Sequence, residues 1–199
     1  TLMRSSAASD VYKRQVFVVG YNYDDEGEFI SENESSNYIG SMGGDRKKSL
    51  GLHEDEAELL KQVGPVNEKS TAVLIGGNMI MMTEWYDCVN AVMMAYYPGM
   101  EGGTAIAEII YGDVNPSGKL VDTFAGSFDD YPSSANFNES EDYVEYTEDI
   151  YVGYRYFETI PGAAEKVNYP FGYGLSYTSF AIEGVSACLL YTSPSPRDA

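Results

Sequence analysis

The stretch MMAYYPGMEGGTAIAEIIYGDVNPSGKL, from Met93 to Leu120, decides the fold. The apolar run Ala91–Tyr97 ends at Pro98-Gly99, which is typical of a strand covered on both faces. Apolar residues then recur at helical spacing over Thr104–Tyr111, with Thr104 as a candidate N-cap. A strand followed by a glycine-rich turn and a helix indicates an α/β unit.

The rest of the chain continues this alternation of strands and helices. Short apolar runs predict strands at Val16–Val19, Thr71–Ile75 and Leu120–Phe124, and Ile150–Phe157 is also strand-like. Apolar spacing and acidic residues in the first turn predict a helix over Glu54–Val63. We therefore expect an α/β fold, a three-layer sandwich with a mostly parallel sheet.

The two ends resemble translated sequencing adapter. Asp10–Gln15 (DVYKRQ) can be encoded by GATGTGTATAAGAGACAG, whose reverse complement, read one base later, encodes Cys188–Ser193 (CLLYTS). Because a chance match of this kind is improbable, we expect Thr1–Gln15 and Cys188–Ala199 to be non-native. The alternative is a genuine polar tail at each end. The remaining residues, 16–187, amount to one domain by length.

The charge balance limits the classes of partner. The chain has 12 Lys and Arg against 31 Asp and Glu, a net charge of -19. This excess of carboxylates argues against binding nucleic acid or an anionic membrane through the surface. No apolar run approaches the roughly 20 residues of a membrane-spanning helix. We expect neither nucleic acid nor a membrane as a partner.

Residues that bind cofactors are scarce. Cys88 is the single cysteine outside the ends, and His53 is the only histidine. A catalytic Cys/His pair and zinc sites built from these residue types are therefore not expected. The glycine pairs Gly76-Gly77 and Gly102-Gly103 fit neither GxGxxG nor GxxxxGK[ST]. We expect no cofactor and no metal.

An acidic segment directly follows the first predicted strand. Asp24-Asp25-Glu26-Gly27-Glu28 places four carboxylates in five positions, at the strand end where active sites of parallel sheets lie. Mutual repulsion raises the affinity of at least one of them for a proton. A protonated carboxylic acid near neutral pH is what a glycosidase needs to protonate a leaving oxygen. On composition alone, a solvated acidic loop is the alternative.

Five blocks resemble the C-terminal sandwich domain of glycoside hydrolase family 3, a large family of β-glucosidases and related exo-acting enzymes. In the order that the family shows, they are Gly43–Lys61, Val73–Asn78, Met93–Leu120, Val152–Phe157 and Tyr169–Phe180. The resemblance implies a partial domain from a retaining β-glycosidase that hydrolyses β-linked oligosaccharides or glycosides. It further implies that the nucleophile, an Asp, belongs to a separate N-terminal barrel domain, and that this chain supplies the acid/base.

The resemblance also implies which carboxylate is the acid/base. In many family members it is the Glu of a motif such as EGEGxDR or SGEGxDR. Glu26-Gly27-Glu28 matches the first part and Asp45-Arg46 the second, with Phe29–Gly44 intervening as a departure from the family pattern. Glu28 aligns with the catalytic Glu, and Glu26 is the runner-up. Asp45 and Arg46 are expected to form a structural ion pair.

Aromatic residues are candidates for sugar contacts. The chain has 18 Tyr and a single Trp, and sugar rings stack on aromatic faces. Trp85 and Tyr23 are therefore candidate substrate-binding residues; the alternative for Trp85 is a core position. For the whole chain, the alternative function is a non-catalytic module that binds sugar or a partner protein. The presence of Glu26 and Glu28 argues against that alternative.

Overall fold

The structure of the chain, a computed structural model, describes residues 14–22, 25, 50–136, 140 and 142–184. Three strands, β1 (Gln15–Gly20), β2 (Ser70–Ile75) and β3 (Ala91–Met94), form a parallel sheet in the order β1-β2-β3. The strands are accompanied by the α-helices α1 (Glu54–Val63), α2 (Gly102–Tyr111) and α3 (Tyr154–Thr159). The predicted α/β fold with a parallel sheet is confirmed.

Two short strands, β4 (Phe124–Ala125) and β5 (Val167–Tyr169), pair in antiparallel fashion outside the main sheet. Short 3-10 helices connect the larger elements at Gly64–Val66, Tyr86–Cys88, Phe128–Asp130, Pro132–Ala135 and Ala163–Lys166. None of the helices within the described ranges is long and apolar enough to cross a bilayer.

The central strand explains the position of the core. β2 reads STAVLI and is buried along most of its length, because it has a strand on each side and packed side chains on both faces. Helix α1 buries Ala57 and Leu60. Its first turn carries three acidic residues, whose negative charges are stabilised by the positive end of the helix dipole. The main core comprises Val19, Tyr21, Ala57, Leu60, Ala72, Leu74, Met79, Ile80, Met82, Trp85 and Phe124.

Two predicted strands are wrong. Leu120–Phe124 was expected to extend the parallel sheet, but only Phe124 enters a strand, and it pairs with Tyr169. Ile150–Phe157 contains the start of α3 instead of a strand. Its β-branched and aromatic residues suggest a strand locally, yet Phe157 is buried on a helix and Tyr154 stacks on Phe171 at 4.6 Å. Tertiary contacts therefore outweigh local propensity at this position.

Two element boundaries differ from the sequence prediction. β3 ends at Met94 and not at Tyr97, since Tyr96 adopts a left-handed backbone with φ 52°. Helix α2 begins at Gly102 and its N-cap is Glu101, so Thr104 is not the cap. The Thr104 hydroxyl instead donates to the Glu101 carboxylate at 3.2 Å. The C-cap of helix α2 is Gly112 with φ 83°, the left-handed conformation that glycine adopts without strain.

The chain ends fall largely outside the described residues. Of the residues that the sequence suggests are non-native, only Arg14 and Gln15 are described. Gln15 is the first residue of β1 and lies opposite Ser70, and the Arg14 guanidinium donates to the carbonyl of Ile110 at 3.2 Å.

Tyr131 joins the main core to a second, smaller cluster formed by Ala125, Phe157 and Ala163. Its hydroxyl accepts the Ala125 N–H at 2.9 Å and donates to the Thr123 carbonyl at 2.7 Å. Its ring meets the Phe157 ring edge-to-face, with centroids 5.5 Å apart. Burial raises the pKa of Tyr131 to about 12, because a buried phenolate loses its hydration.

We expect Tyr131→Phe to reduce the alkaline sensitivity of folding. The folded-state pKa lies above the unfolded value of 10, so the stabilisation by the protonated phenol is complete below pH 10 and is lost as the pH rises towards 12. The stabilisation lost at alkaline pH amounts to about 2 to 3 kcal/mol of unfolding free energy at most. Urea unfolding at pH 9 and pH 11.5 measures it. Tyr146→Phe, at an exposed position, is the control; equal alkaline losses in Tyr131→Phe and the unmodified chain would contradict this expectation.

Candidate functional site

The carboxyl ends of the three parallel strands meet at one edge of the sheet, the position where ligands bind in open α/β folds. Main-chain hydrogen bonds continue past the strand ends and hold this edge together. The Tyr21 N–H donates to the Ile75 carbonyl at 2.7 Å, and the Gly76 N–H donates to the Tyr96 carbonyl at 3.4 Å. The residues that directly follow β1, β2 and β3 are therefore close neighbours.

Gly20 ends β1 in a conformation that only glycine adopts readily, with φ 137°. A Cβ at this position would lie 2.0 Å from the Ile75 carbonyl oxygen, a backbone atom of the neighbouring strand. The Gly20 N–H donates to Glu56 Oε1 of α1 at 3.2 Å. Gly20 thus directs the chain from the sheet towards the N-terminal turn of α1.

The first carboxylate that the structure describes after β1 is buried. Asp25 is 8% exposed, and its Oδ1 lies 2.8 Å from Nε2 of His53, the residue that precedes α1. Its Oδ2 accepts the Asn22 N–H at 2.9 Å. Nearby, the Tyr21 hydroxyl donates to the Gly51 carbonyl at 2.8 Å. The chain leaving β1 is therefore connected through side chains to the chain entering α1.

Tyr96, at the same edge of the sheet, has an unusual backbone conformation. Its φ of 52° is uncommon for a residue with a bulky side chain. Burial raises the pKa of Tyr96, and repulsion by the Asp122 carboxylate adds to this effect. Backbone conformations of this kind cost free energy and occur more often near functional sites than elsewhere.

The predicted acid/base residues are not among those that the structure describes. Glu28, Glu26 and Tyr23 fall outside the described ranges, as do Asp45 and Arg46. The structure does describe Asp25, the residue before Glu26, and places its buried carboxylate 2.8 Å from Nε2 of His53. Sequence reasoning treated Asp25 as one of four similar carboxylates and gave His53 no role. The spacing of these two residues along the chain carries no signal that would pair them.

Trp85 lies in the main core with 1% of its surface exposed. It also lines a cavity of about 200 Å³, together with polar groups from Thr83, Glu84 and Ser127 and the ring of Phe128. The indole N–H of Trp85 has no hydrogen-bond partner in the described part of the chain. Its burial agrees with the core alternative.

Clusters of metal-ligating side chains are absent from the described ranges: no three His, Cys, Asp or Glu residues there lie close enough together to hold an ion. Cys88 is a free, half-buried thiol.

Comparisons with known proteins agree with one another. Residues 3–177 match the family described as the glycosyl hydrolase family 3 C-terminal domain. The chain is 57% identical over 132 residues to beta-glucosidase A of Butyrivibrio fibrisolvens, a match that covers 64% of this chain and 16% of the relative. It is 38% identical over 148 residues to an exo-alpha-(1->6)-L-arabinopyranosidase of Bifidobacterium longum, a match that covers 74% of this chain and 19% of the relative.

Comparison with solved structures also finds beta-glucosidases. A beta-glucosidase from Paenibacillus barengoltzii matches with a TM-score of 0.67 and 39% identity, over 84% of this chain and 17% of that one. The beta-glucosidase from Kluyveromyces marxianus in complex with glucose matches with a TM-score of 0.66 and 36% identity, over 82% of this chain and 18% of that one. The chain thus spans less than a quarter of the length of these relatives.

Proposed function

Because this chain belongs to glycosyl hydrolase family 3, as a part of its C-terminal domain, we propose that it is a piece of a retaining β-glycosidase and contributes the acid/base carboxylate. The observation that carries the proposal is the 57% identity to a beta-glucosidase. Identity to the arabinopyranosidase is lower, at 38%. A terminal β-linked glucosyl residue is therefore the proposed substrate group.

The proposed mechanism uses two carboxylates. A nucleophile from another domain forms a covalent glycosyl-enzyme, while the acid/base first protonates the leaving oxygen and then activates water. Glu28 is the proposed acid/base, with Glu26 as runner-up. The position of this segment supports the assignment, since Asp25 lies where β1 ends at the carboxyl edge of the sheet, and Glu26 follows it directly in the sequence.

We further propose that the N-terminal barrel domain of the family is the partner of this chain within the full-length protein. The short span of the chain relative to its relatives supports this arrangement. Tyr23 and Trp85 are the proposed sugar contacts; for Trp85 the supporting observation is its place in the wall of a cavity of about 200 Å³.

The proposal predicts the activity of the full-length parent. It should hydrolyse 4-nitrophenyl β-D-glucoside with a higher kcat/KM than 4-nitrophenyl α-L-arabinopyranoside, and proton NMR should detect β-glucose as the first product, because two displacements retain the anomeric configuration. Trp85→Phe and Tyr23→Phe should raise KM more than they lower kcat. α-Glucose as the first product, or an absence of glycosidase activity, would refute the proposed function.

A further inference from the structure

The loop that connects β3 to α2, residues 97–101, lies at the carboxyl edge of the sheet and is exposed along its whole length. Its largest apolar side chains are open to solvent, since Met100 is fully exposed and Tyr97 is 55% exposed. Single exposed apolar side chains are normal on a protein surface. An exposed apolar loop at the edge where sites form is instead characteristic of an interaction surface.

The backbone holds the 97–101 loop in a defined conformation. The chain turns at Tyr96, with φ 52°, and again at Gly99, with φ 74°. The Gly102 N–H donates to the Gly99 carbonyl at 3.2 Å. A Cβ at Gly102 would lie 2.5 Å from Cγ of Pro98, so the Pro98 ring packs directly on the start of α2. A loop that is already held in one conformation loses little conformational entropy when it binds.

Charged side chains are missing from this edge, although the chain as a whole is strongly acidic. Charged residues make up 22% of the chain, and the net charge is -19. Residues 76–83, which follow β2, and residues 95–100, which follow β3, contain none of them. Glu101 is the single charged residue of the loop, and its carboxylate accepts the Thr104 hydroxyl at 3.2 Å. Cores of protein interfaces are likewise depleted in charge and enriched in Tyr and Met.

The proposed mechanism indicates which part of the parent approaches this edge. A retaining mechanism needs two carboxyl groups about 5 to 5.5 Å apart, of which the barrel domain supplies one. The segment proposed to supply the other follows β1, and the end of β3 is only about 10 Å away, because neighbouring strands are about 4.8 Å apart. A whole domain that comes this close to the end of β1 also covers the ends of β2 and β3. The chain spans 16% of its beta-glucosidase relative, so most of the parent lies outside it.

We propose that the 97–101 loop, with Met100 as its anchor, docks against an apolar surface of the N-terminal barrel domain. The inference rests on the proposed function. Docking removes the exposed side chain of Met100 from water, which favours the docked arrangement. The unbranched, flexible methionine side chain adapts to an irregular apolar surface. The loop thereby helps to keep the two carboxylate-bearing domains at the distance that the reaction needs.

Mild peroxide oxidation of the unmodified full-length parent, followed by mass spectrometry, tests the docking directly. Met100 is expected to react at least about tenfold more slowly than in a synthetic peptide of residues 97–103, because docking covers its sulfur. Met82, which is 5% exposed, gives the rate of a buried methionine in the same sample. A smaller difference between parent and peptide would overturn the docking. Protection that appears only with saturating glucose would also overturn it, since the loop would then contact the sugar.

A photo-cross-linker identifies the part of the parent that covers the loop. With Met100→p-benzoylphenylalanine in the full-length parent, irradiation is expected to attach the new side chain to peptides of the barrel domain. Attachment only to another part of the parent, or to no other part, would overturn the choice of partner.

A charge on the loop gives a kinetic test. Met100→Glu puts a carboxylate into the docked surface, where an unpaired charge costs free energy. We expect kcat/KM on cellobiose and on 2,4-dinitrophenyl β-glucoside to fall by the same factor, about tenfold or more, because only the docked fraction of the molecules is active. Met100→Leu, which keeps an apolar side chain, should recover most of the lost rate. The matched control is Val66→Glu, at a 71% exposed position that precedes β2 at the opposite edge of the sheet, and it should change neither rate.

The outcomes separate the docking from the proposed function. Glu28→Gln should slow the two substrates unequally, because they differ in their need for protonation. If it does so while Met100→Glu leaves both rates unchanged, the docking fails and the proposed function stands. If the parent hydrolyses neither substrate, the proposed function fails, and the docking fails with it. If Met100→Glu does not fold, the oxidation rate and the cross-link decide.

Discussion

Replacement of Glu28 by glutamine in the full-length parent is expected to slow the hydrolysis of cellobiose by about a hundredfold or more, the usual scale for a lost acid/base. Glutamine keeps the shape of the side chain but has no acidic proton to give to the leaving sugar. Activated aryl glucosides need less protonation, so the formation of the glycosyl-enzyme from them should be affected less. Steady-state kinetics on both substrate types measures the difference.

Azide provides the second readout for this variant. A small anion attacks the glycosyl-enzyme without general-base assistance, so azide should partly restore the turnover of aryl glucosides by Glu28→Gln and yield the β-glucosyl azide. Glu26→Gln is the matched control, two residues away. If Glu26→Gln abolishes the activity while Glu28→Gln leaves it unchanged, the acid/base is Glu26. If neither change has an effect, the acid lies elsewhere.

The 199-residue chain by itself is expected to show no detectable hydrolysis of aryl β-glucosides. Covalent catalysis needs a nucleophile, which the family resemblance assigns to a separate barrel domain, and this chain spans only 16% of the length of its beta-glucosidase relative. The assay compares the chain with the full-length parent at equal molar concentration. Turnover above the buffer blank that Glu28→Gln removes would show that the chain contains a complete active site.

Much of the main sheet could be predicted because the apolar patterns that indicate each strand and helix lie within that element. Helix α1 occupies Glu54–Val63 as the spacing of its apolar residues predicts, and β2 begins one residue before the predicted Thr71. These elements have apolar patterns that match their burial in the structure. The predictions failed where the partner is distant in the sequence. The strand at Phe124 depends on Tyr169, and no local pattern at Phe124 indicates an antiparallel partner so far along the chain.

The same limit applies to the candidate site. The general geometry of parallel sheets puts ligand sites at the carboxyl edge, and on that ground sequence reasoning proposed the acidic segment after β1 as the site. The pairing of Asp25 with His53 depends on the packing of α1 against β1, which sets the distance between two residues that neither share an element nor follow a known motif. Glu28, Glu26 and Tyr23 lie outside the described residues, so their roles stay predictions.

The links at Tyr21–Gly51 and Asp25–His53 have an evolutionary consequence for the segment that they enclose. When both ends of a loop are already pinned, each doubling of its length costs only about 0.6 kcal/mol of closure entropy. Residues 26–49 can therefore accept insertions and deletions while the sheet and α1 keep their stability. The stretch Phe29–Gly44, by which this chain departs from the common family motif, is an insertion of the kind that fixed flanking residues permit. Selection could then alter the surroundings of the proposed acid/base in small steps, without a need for compensating changes in the core.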